Sequence, residues 1–189
     1  EYEWVDIAGY ASTQIIFPTN DSAGDPIQLP FEFPFFGVDE PYYGTPYNQC
    51  IVNPNGWIGF SNDSDAWDNT SLPSQTAPVN AIFPFWDDLN PVNDNCNQYC
   101  FGDVWYYGDE EKFVVWFNNV AHWWTNNENS FYNFQVVLYP SGEIQFNYAE
   151  ITGTHSATIG FQISDGNAGV LINYNGEYVH NNLTTILKR

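Results

Sequence analysis

Alternation of apolar and polar side chains with a period of two runs through this 189-residue chain, and helical periodicity is nearly absent. Phe134, Val136 and Leu138 fall on one side of a segment whose other side is Gln135, Val137 and Tyr139. Pro140-Ser141-Gly142 supplies a turn, after which Ile144, Phe146 and Tyr148 alternate against Gln145 and Asn147. Successive strand residues point to opposite faces, so the pattern predicts a hairpin with one buried face and one polar-aromatic face. Ala157, Ile159, Phe161 and Ile163 repeat it, and Val114-Val115-Trp116-Phe117 reads as a central strand covered on both sides. Further strands are expected at 3–7, 14–17, 27–36, 48–53, 56–60, 80–85, 103–108, 170–174 and 183–187, punctuated by Gly, Pro, Asn and Asp. Pro30 and Pro34 place the segment around Phe31-Glu32-Phe33 on an edge or at a bulge. The expected fold is all-β, an antiparallel β-sandwich or jelly roll with long Asp/Asn-rich loops at about 61–79 and 87–102. No repeat or linker composition divides the chain, so residues 1–189 read as one domain, excised or processed from a larger secreted protein.

Charge narrows the partners. Three Lys and Arg stand against 23 Asp and Glu, a net charge of −20. So few cations cannot form the basic stripe that displaces counterions from nucleic-acid phosphates, and docking on anionic membranes fails for the same reason. Disorder is disfavoured, because acidic disordered chains are poor in aromatics and this one has 19%. Polarity comes from neutral groups, including 23 Asn, and amides beside aromatics suit an extracellular surface that handles sugars. No apolar run approaches the roughly 18 residues of a spanning helix. No signal-peptide pattern is present either.

Unpaired carboxylates invite a divalent cation. Calcium takes roughly six to eight oxygens, and the segment from Trp86 to Asn95 offers Asp87, Asp88, Asn90 and Asp94, with Asp103 just beyond. Asn62-Asp63-Ser64-Asp65-Ala66-Trp67-Asp68-Asn69 is a second candidate, lacking the glycine and distal Glu of an EF-hand loop. Solvated Asx turns are the alternative for both. Cys96 and Cys100 are read as a local disulfide that fixes loop shape, contributing at most about 2 kcal/mol. A zinc site would need a second pair, and Cys50 is read as a buried strand thiol, its pairing with a loop cysteine left open.

Nucleophilic catalysis has little support, since no Gly-x-Ser-x-Gly elbow occurs. His122, His155 and His180 are scattered and are read as surface or strand residues. A glycosidase would need two carboxyls about 5–5.5 Å or about 6.5–9.5 Å apart, whereas adjacent acids such as Asp87 and Asp88 point to opposite faces of a strand. Trp116, Phe134, Phe146 and Phe161 belong to the core. Trp67, Trp123 and Trp124 lie among polar residues, where indoles either stack on a pyranose or plug the end of the sandwich. Gln135, Gln145, Asn147 and Gln162 form a second candidate platform, with amides for sugar hydroxyls.

Phe33-Pro34-Phe35-Phe36-Gly37, Val52-Asn53-Pro54-Asn55-Gly56-Trp57-Ile58-Gly59-Phe60 and Phe83-Pro84-Phe85-Trp86-Asp87-Asp88-Leu89 occur in that order. They resemble an accessory β-sandwich module of large secreted bacterial proteins, including subtilisin-like and gingipain-like peptidases and sorted surface proteins. The stretch from Val114 to Val120, with Phe134–Leu138 and Ala157–Phe161, is similar to the nidogen-type extracellular domain. The resemblance spans about residues 2–165 and implies a non-catalytic extracellular module attached to something larger, with Asp87 and Asp88 matching the acidic pair after the family's Pro-Phe-Trp. The expected function is therefore a secreted or cell-surface binding or adhesion module for polysaccharide or glycan, stabilised by calcium. A structural module packing on a neighbouring domain or self-assembling into a surface layer or filament is the alternative, and a small glycosidase the third.

Overall fold

The structure, a computed structural model, describes residues 1–36, 46–61, 64–92, 96, 99–123, 129–164 and 166–188. Its strands are β1 (Thr13–Ile15), β2 (Ile27–Pro34), β3 (Pro46–Asn53), β4 (Trp57–Gly59), β5 (Ala81–Trp86), β6 (Leu89–Asn90), β7 (Asp103–Gly108), β8 (Phe113–His122), β9 (Phe131–Leu138), β10 (Ile144–Thr152), β11 (Thr158–Gln162), β12 (Gly169–Tyr174) and β13 (Leu183–Leu187). One sheet runs β1-β7-β8-β9-β10-β13, with β6 on β8, and the other runs β12-β11-β5-β4-β3-β2. Pairing is antiparallel throughout, as short strands joined by turns require. β2 lies at an edge, and its ladder with β3 is irregular between Gln28 and Phe33, where Pro30 has no N–H to donate.

Alternation sets the core. In the β9–β10 hairpin Phe134 pairs with Tyr148 and Val136 with Phe146, and these side chains enter the inter-sheet core beside Phe85, Val115 and Phe117. Phe117 stacks on Phe134 with ring centroids 4.5 Å apart, and Phe85 lies 5.3 Å from Phe134. Offset ring contacts of this kind add to the area buried. Cys50 is a free thiol in the same core, and burial pushes its pKa up to about 12. Cys96 and Cys100 are joined as a disulfide.

Part of each outer sheet face is covered by a segment outside the ladders. Residues 3–7, expected as a strand, join no ladder and lie as an extended strap across β9 and β10. Val5 N–H donates to Gln135 Oε1 at 2.8 Å, and Gln135 Nε2 donates back to Val5 O at 3.0 Å. Ile7, Val114 and Val137 form a small apolar cluster with Val5 and Trp116. On the other sheet Trp57, Leu72, Phe83 and Trp86 form a third cluster under the long loop before β5. Both indole N–H groups, of Trp57 and Trp86, donate to Ala66 O at 2.9 and 3.0 Å. Residues 64–79 of the long loop thus cover a hydrophobic face.

Candidate functional site

The Asp- and Asn-rich segments converge at one end of the sandwich. Buried Asn53 donates to Asp21 O at 2.8 Å and to Ser64 O at 3.0 Å, tying the 19–22 turn to the loop before β5. Buried Asn55 accepts from Leu89 N–H at 2.9 Å and donates to Asp21 Oδ1 at 3.2 Å. Gly56, at φ 78°, permits this turn, because a Cβ there would sit 1.9 Å from Phe85 O. Asn69 donates to Ser156 O and, at 3.0 Å, to Thr158 Oγ1, joining the same loop to the corner between β10 and β11.

Asp87 is the buried hinge of this end, 3% exposed. Ser156 donates to it twice, from its N–H at 2.6 Å and its hydroxyl at 3.1 Å, and His122 Nε2 lies 3.4 Å from Oδ1. Burial alone would raise the Asp87 pKa, but the His122 imidazolium and the donors from Ser156 and Asp88 outweigh it and hold the carboxyl below its ordinary value. His122 is raised for the reciprocal reason: burial opposes its charge, but Asp87 and the Trp123 carbonyl, 2.8 Å from Nδ1, favour it. Serine, histidine and aspartate therefore meet without forming a nucleophilic triad. Asp87 sits between the other two, and both His122 nitrogens are engaged by acceptors, so neither can take the Ser156 proton.

Asp88 behaves oppositely. Burial, together with the charges of Asp21, Asp87 and Asp68, pushes its pKa up to about 7 despite the attraction of His122. A low and a high carboxyl side by side is an acid–base signature. Here the Asp87 carboxylate is enclosed and its oxygens are engaged by Ser156, Asp88 N–H and His122.

Of the calcium ligands expected from sequence, Asp87, Asn90 and Asp103 make contacts within the protein. Asp87 is consumed as above, and Asn90 is buried, accepting from Val92 N–H and donating to Cys96 Sγ. Asp103 accepts from Trp105 Nε1 at 2.8 Å and Asn118 Nδ2 at 2.9 Å on the face of β7. Asp94 lies outside the described residues, as do Asn62 and Asp63 of the second loop. Among the described residues no three His, Cys, Asp or Glu side chains are grouped to hold a metal ion.

The amide platform is corrected too. Gln135, Gln145, Asn147 and Gln162 are at most 2% exposed. Asn147 donates to Gln135 Oε1 at 2.9 Å and accepts from Gln145 at 3.0 Å and Thr184 at 2.8 Å, all beneath the strap. Gln145 also donates to Glu3 at 3.3 Å. Gln162 accepts from Ser74 N–H at 2.6 Å and donates to Ser74 O and Ala77 O, pinning the covering loop. These amides hold the chain to itself and offer no open face.

Of the indoles, Trp67 stands out at 49% exposed, beside Asp68 at the loop end. Trp123 is half-buried, its backbone N–H donating to Asp88 O at 2.8 Å, and Trp124 lies outside the described residues. Sequence reading missed three further residues here. His155, Glu177 and His180 line a cleft of about 590 Å³ with Ile151, Thr154, Val179 and Asn181. Gly153, at φ 85°, makes the corner that carries His155, and a Cβ there would lie 2.1 Å from Ser130 Oγ. The three residues are 22 and 3 positions apart, and no local pattern marks them.

Among the described residues no helix is long and apolar enough to cross a membrane. No curated protein and no solved structure matches this chain. A family model described as NIDO related matches residues 1–186, nearly the whole sandwich and both of its covering segments. The chain belongs to the NIDO-related family.

Proposed function

We propose that this domain is a non-catalytic, extracellular binding or adhesion module of a larger secreted protein, with polysaccharide or cell-surface glycan as its ligand class. The observation that carries this reading is Trp67, half-exposed on a loop whose neighbouring carbonyl is locked by two buried indoles. A rigidly seated, solvent-facing indole beside Asp68 can stack on the apolar face of a sugar while carboxylate and amide groups take its hydroxyls. A non-catalytic role is supported by the Asp87, His122 and Ser156 arrangement, which uses every reactive group in holding the loops together. Accessory position beside a peptidase or another surface domain is part of the same proposal.

A glycan array probed with wild type and Trp67→Ala tests the reading. Binding to a defined subset of glycans, weakened by the substitution, supports it. Absence of binding, or release of new reducing ends from a bound polysaccharide, contradicts it.

The structural-module reading rests on a separate observation. β12 is an edge strand, and Val170, Leu171 and Tyr174 on it are 43%, 39% and 42% exposed. An unpaired edge with apolar side chains and no Lys or Pro is open to another strand. Concentration-dependent sedimentation that Leu171→Lys abolishes would favour it.

A further inference from the structure

We propose that the cleft between the β10–β11 corner and the segment before β13 is the sugar-recognition subsite of this domain, built for a pair of neighbouring neutral hydroxyls. The inference rests on the glycan reading above and assigns it a place and a ligand chemistry.

The hydrogen bonds around the cleft fix what each side chain presents. His155 Nδ1 accepts from Ala157 N–H at 3.4 Å, so its proton sits on Nε2. Burial lowers the His155 pKa, which keeps the ring neutral and this arrangement unique. The ring is held between Phe85 and Tyr132, with centroids 5.0 and 6.2 Å away, and Nε2–H has no partner among the described residues. It is a fixed donor at the inner wall. His180 is the converse: Nδ1 donates to Asn181 O at 2.9 Å, the tautomer in which Nε2 is the acceptor. Asn181 Oδ1 is occupied by Ile151 N–H at 2.7 Å, so its Nδ2 is left as a donor. Glu177 adds an exposed carboxylate acceptor, and Ile151 and Val179 give an apolar floor.

The cleft therefore offers two donors and two acceptors. A metal ion or ammonium group would face the His155 N–H. An anion would face the Glu177 carboxylate in a chain of net charge −20. A hydroxyl donates and accepts at once, so neighbouring hydroxyls on one sugar ring satisfy all four groups, with the ring's apolar face on Ile151 and Val179. The cleft's volume of about 590 Å³ leaves room for more than one ring. Preorganisation comes from the Asp87 clamp on Ser156, which fixes the corner beside His155.

Titration calorimetry on the full chain with neutral trisaccharides of glucose, mannose, galactose and N-acetylglucosamine tests the assignment. The expected result is millimolar or tighter binding of at least one of them. Glu177→Ala and Asn181→Asp, the latter keeping Oδ1 and removing the donor, should each weaken it by about tenfold, as loss of one such hydrogen bond implies. Binding that both variants leave unchanged while Trp67→Ala removes it overturns the cleft and leaves the glycan reading standing. Absence of binding to every trisaccharide overturns both. Binding of zinc or calcium at this cleft, seen with the ions alone, overturns the hydroxyl assignment.

Discussion

Replacing Asp88 with asparagine should stabilise the protein increasingly as pH rises from about 4 to about 7, and change nothing below that window. The Asp88 carboxyl is half-buried, receives no hydrogen bond from the described residues, and faces the charges of Asp21, Asp87 and Asp68. Its pKa is consequently raised from 3.8 to about 7. Between these values the folded chain keeps a proton that the unfolded chain has released, so stability falls as pH rises across that window. The full separation corresponds to about 4 kcal/mol. Solvent screens a half-exposed carboxylate, which reduces the expected gain to about 1–2 kcal/mol. For a chain of this size that is a rise in Tm of about 2–8 °C. Urea unfolding of wild type and Asp88→Asn at pH 4, 6 and 8 is the assay. The difference should be near zero at pH 4, grow through pH 6 and level off at pH 8. Equal stability at pH 8, or a variant less stable there, would refute the reasoning.

The Asp87–His122 pair has a different pH signature. Its Asp member stabilises above its ordinary pKa and loses this as pH falls, whereas its His member stabilises below its ordinary pKa and loses this as pH rises. Asp87→Ala should therefore cost most between about pH 4 and 6.5, about 3–5 kcal/mol because it leaves a buried imidazolium unpaired, as denaturant midpoints would show. Gln162→Ala removes the bonds that hold the covering loop at Ser74 and Ala77, and should cost about 2–3 kcal/mol with faster amide exchange over 72–79. Gln135→Ala should release the N-terminal strap, giving protease cleavage near Gly9 and a red-shifted Trp4 and Trp116 emission while the sheets persist.

Much of the architecture was legible because period-two alternation is a local property. The β9–β10 register, with Phe134 opposite Tyr148, follows from residues within one hairpin. Alternation also says which face of a strand is polar, yet not whether a distant segment covers it. Gln135 and Asn147 look like an open amide platform until Val5, 130 residues away, docks on them. The acidic pair at Asp87 and Asp88 was visible, but its division into a clamp and a raised carboxyl depends on His122 and Ser156 at Asp87 and on burial with Asp21 and Asp68 at Asp88, which no spacing rule joins to it. The same holds for the cleft, where His155, Glu177 and His180 meet through chain folding alone. Part of the oxygen-rich composition serves turns and cover contacts, with Asn53, Asn55 and Asn69 each bridging two segments.

The most direct measurement is backbone-amide chemical-shift mapping of the full chain during titration with a glycan found on the array. Shifts should gather at 64–69, 151–156 and 175–181, at the loop end that carries Trp67 and the His155 cleft. Shifts centred instead on the strap and on β9 and β10, around Gln135 and Asn147, would contradict a binding end built from these loops.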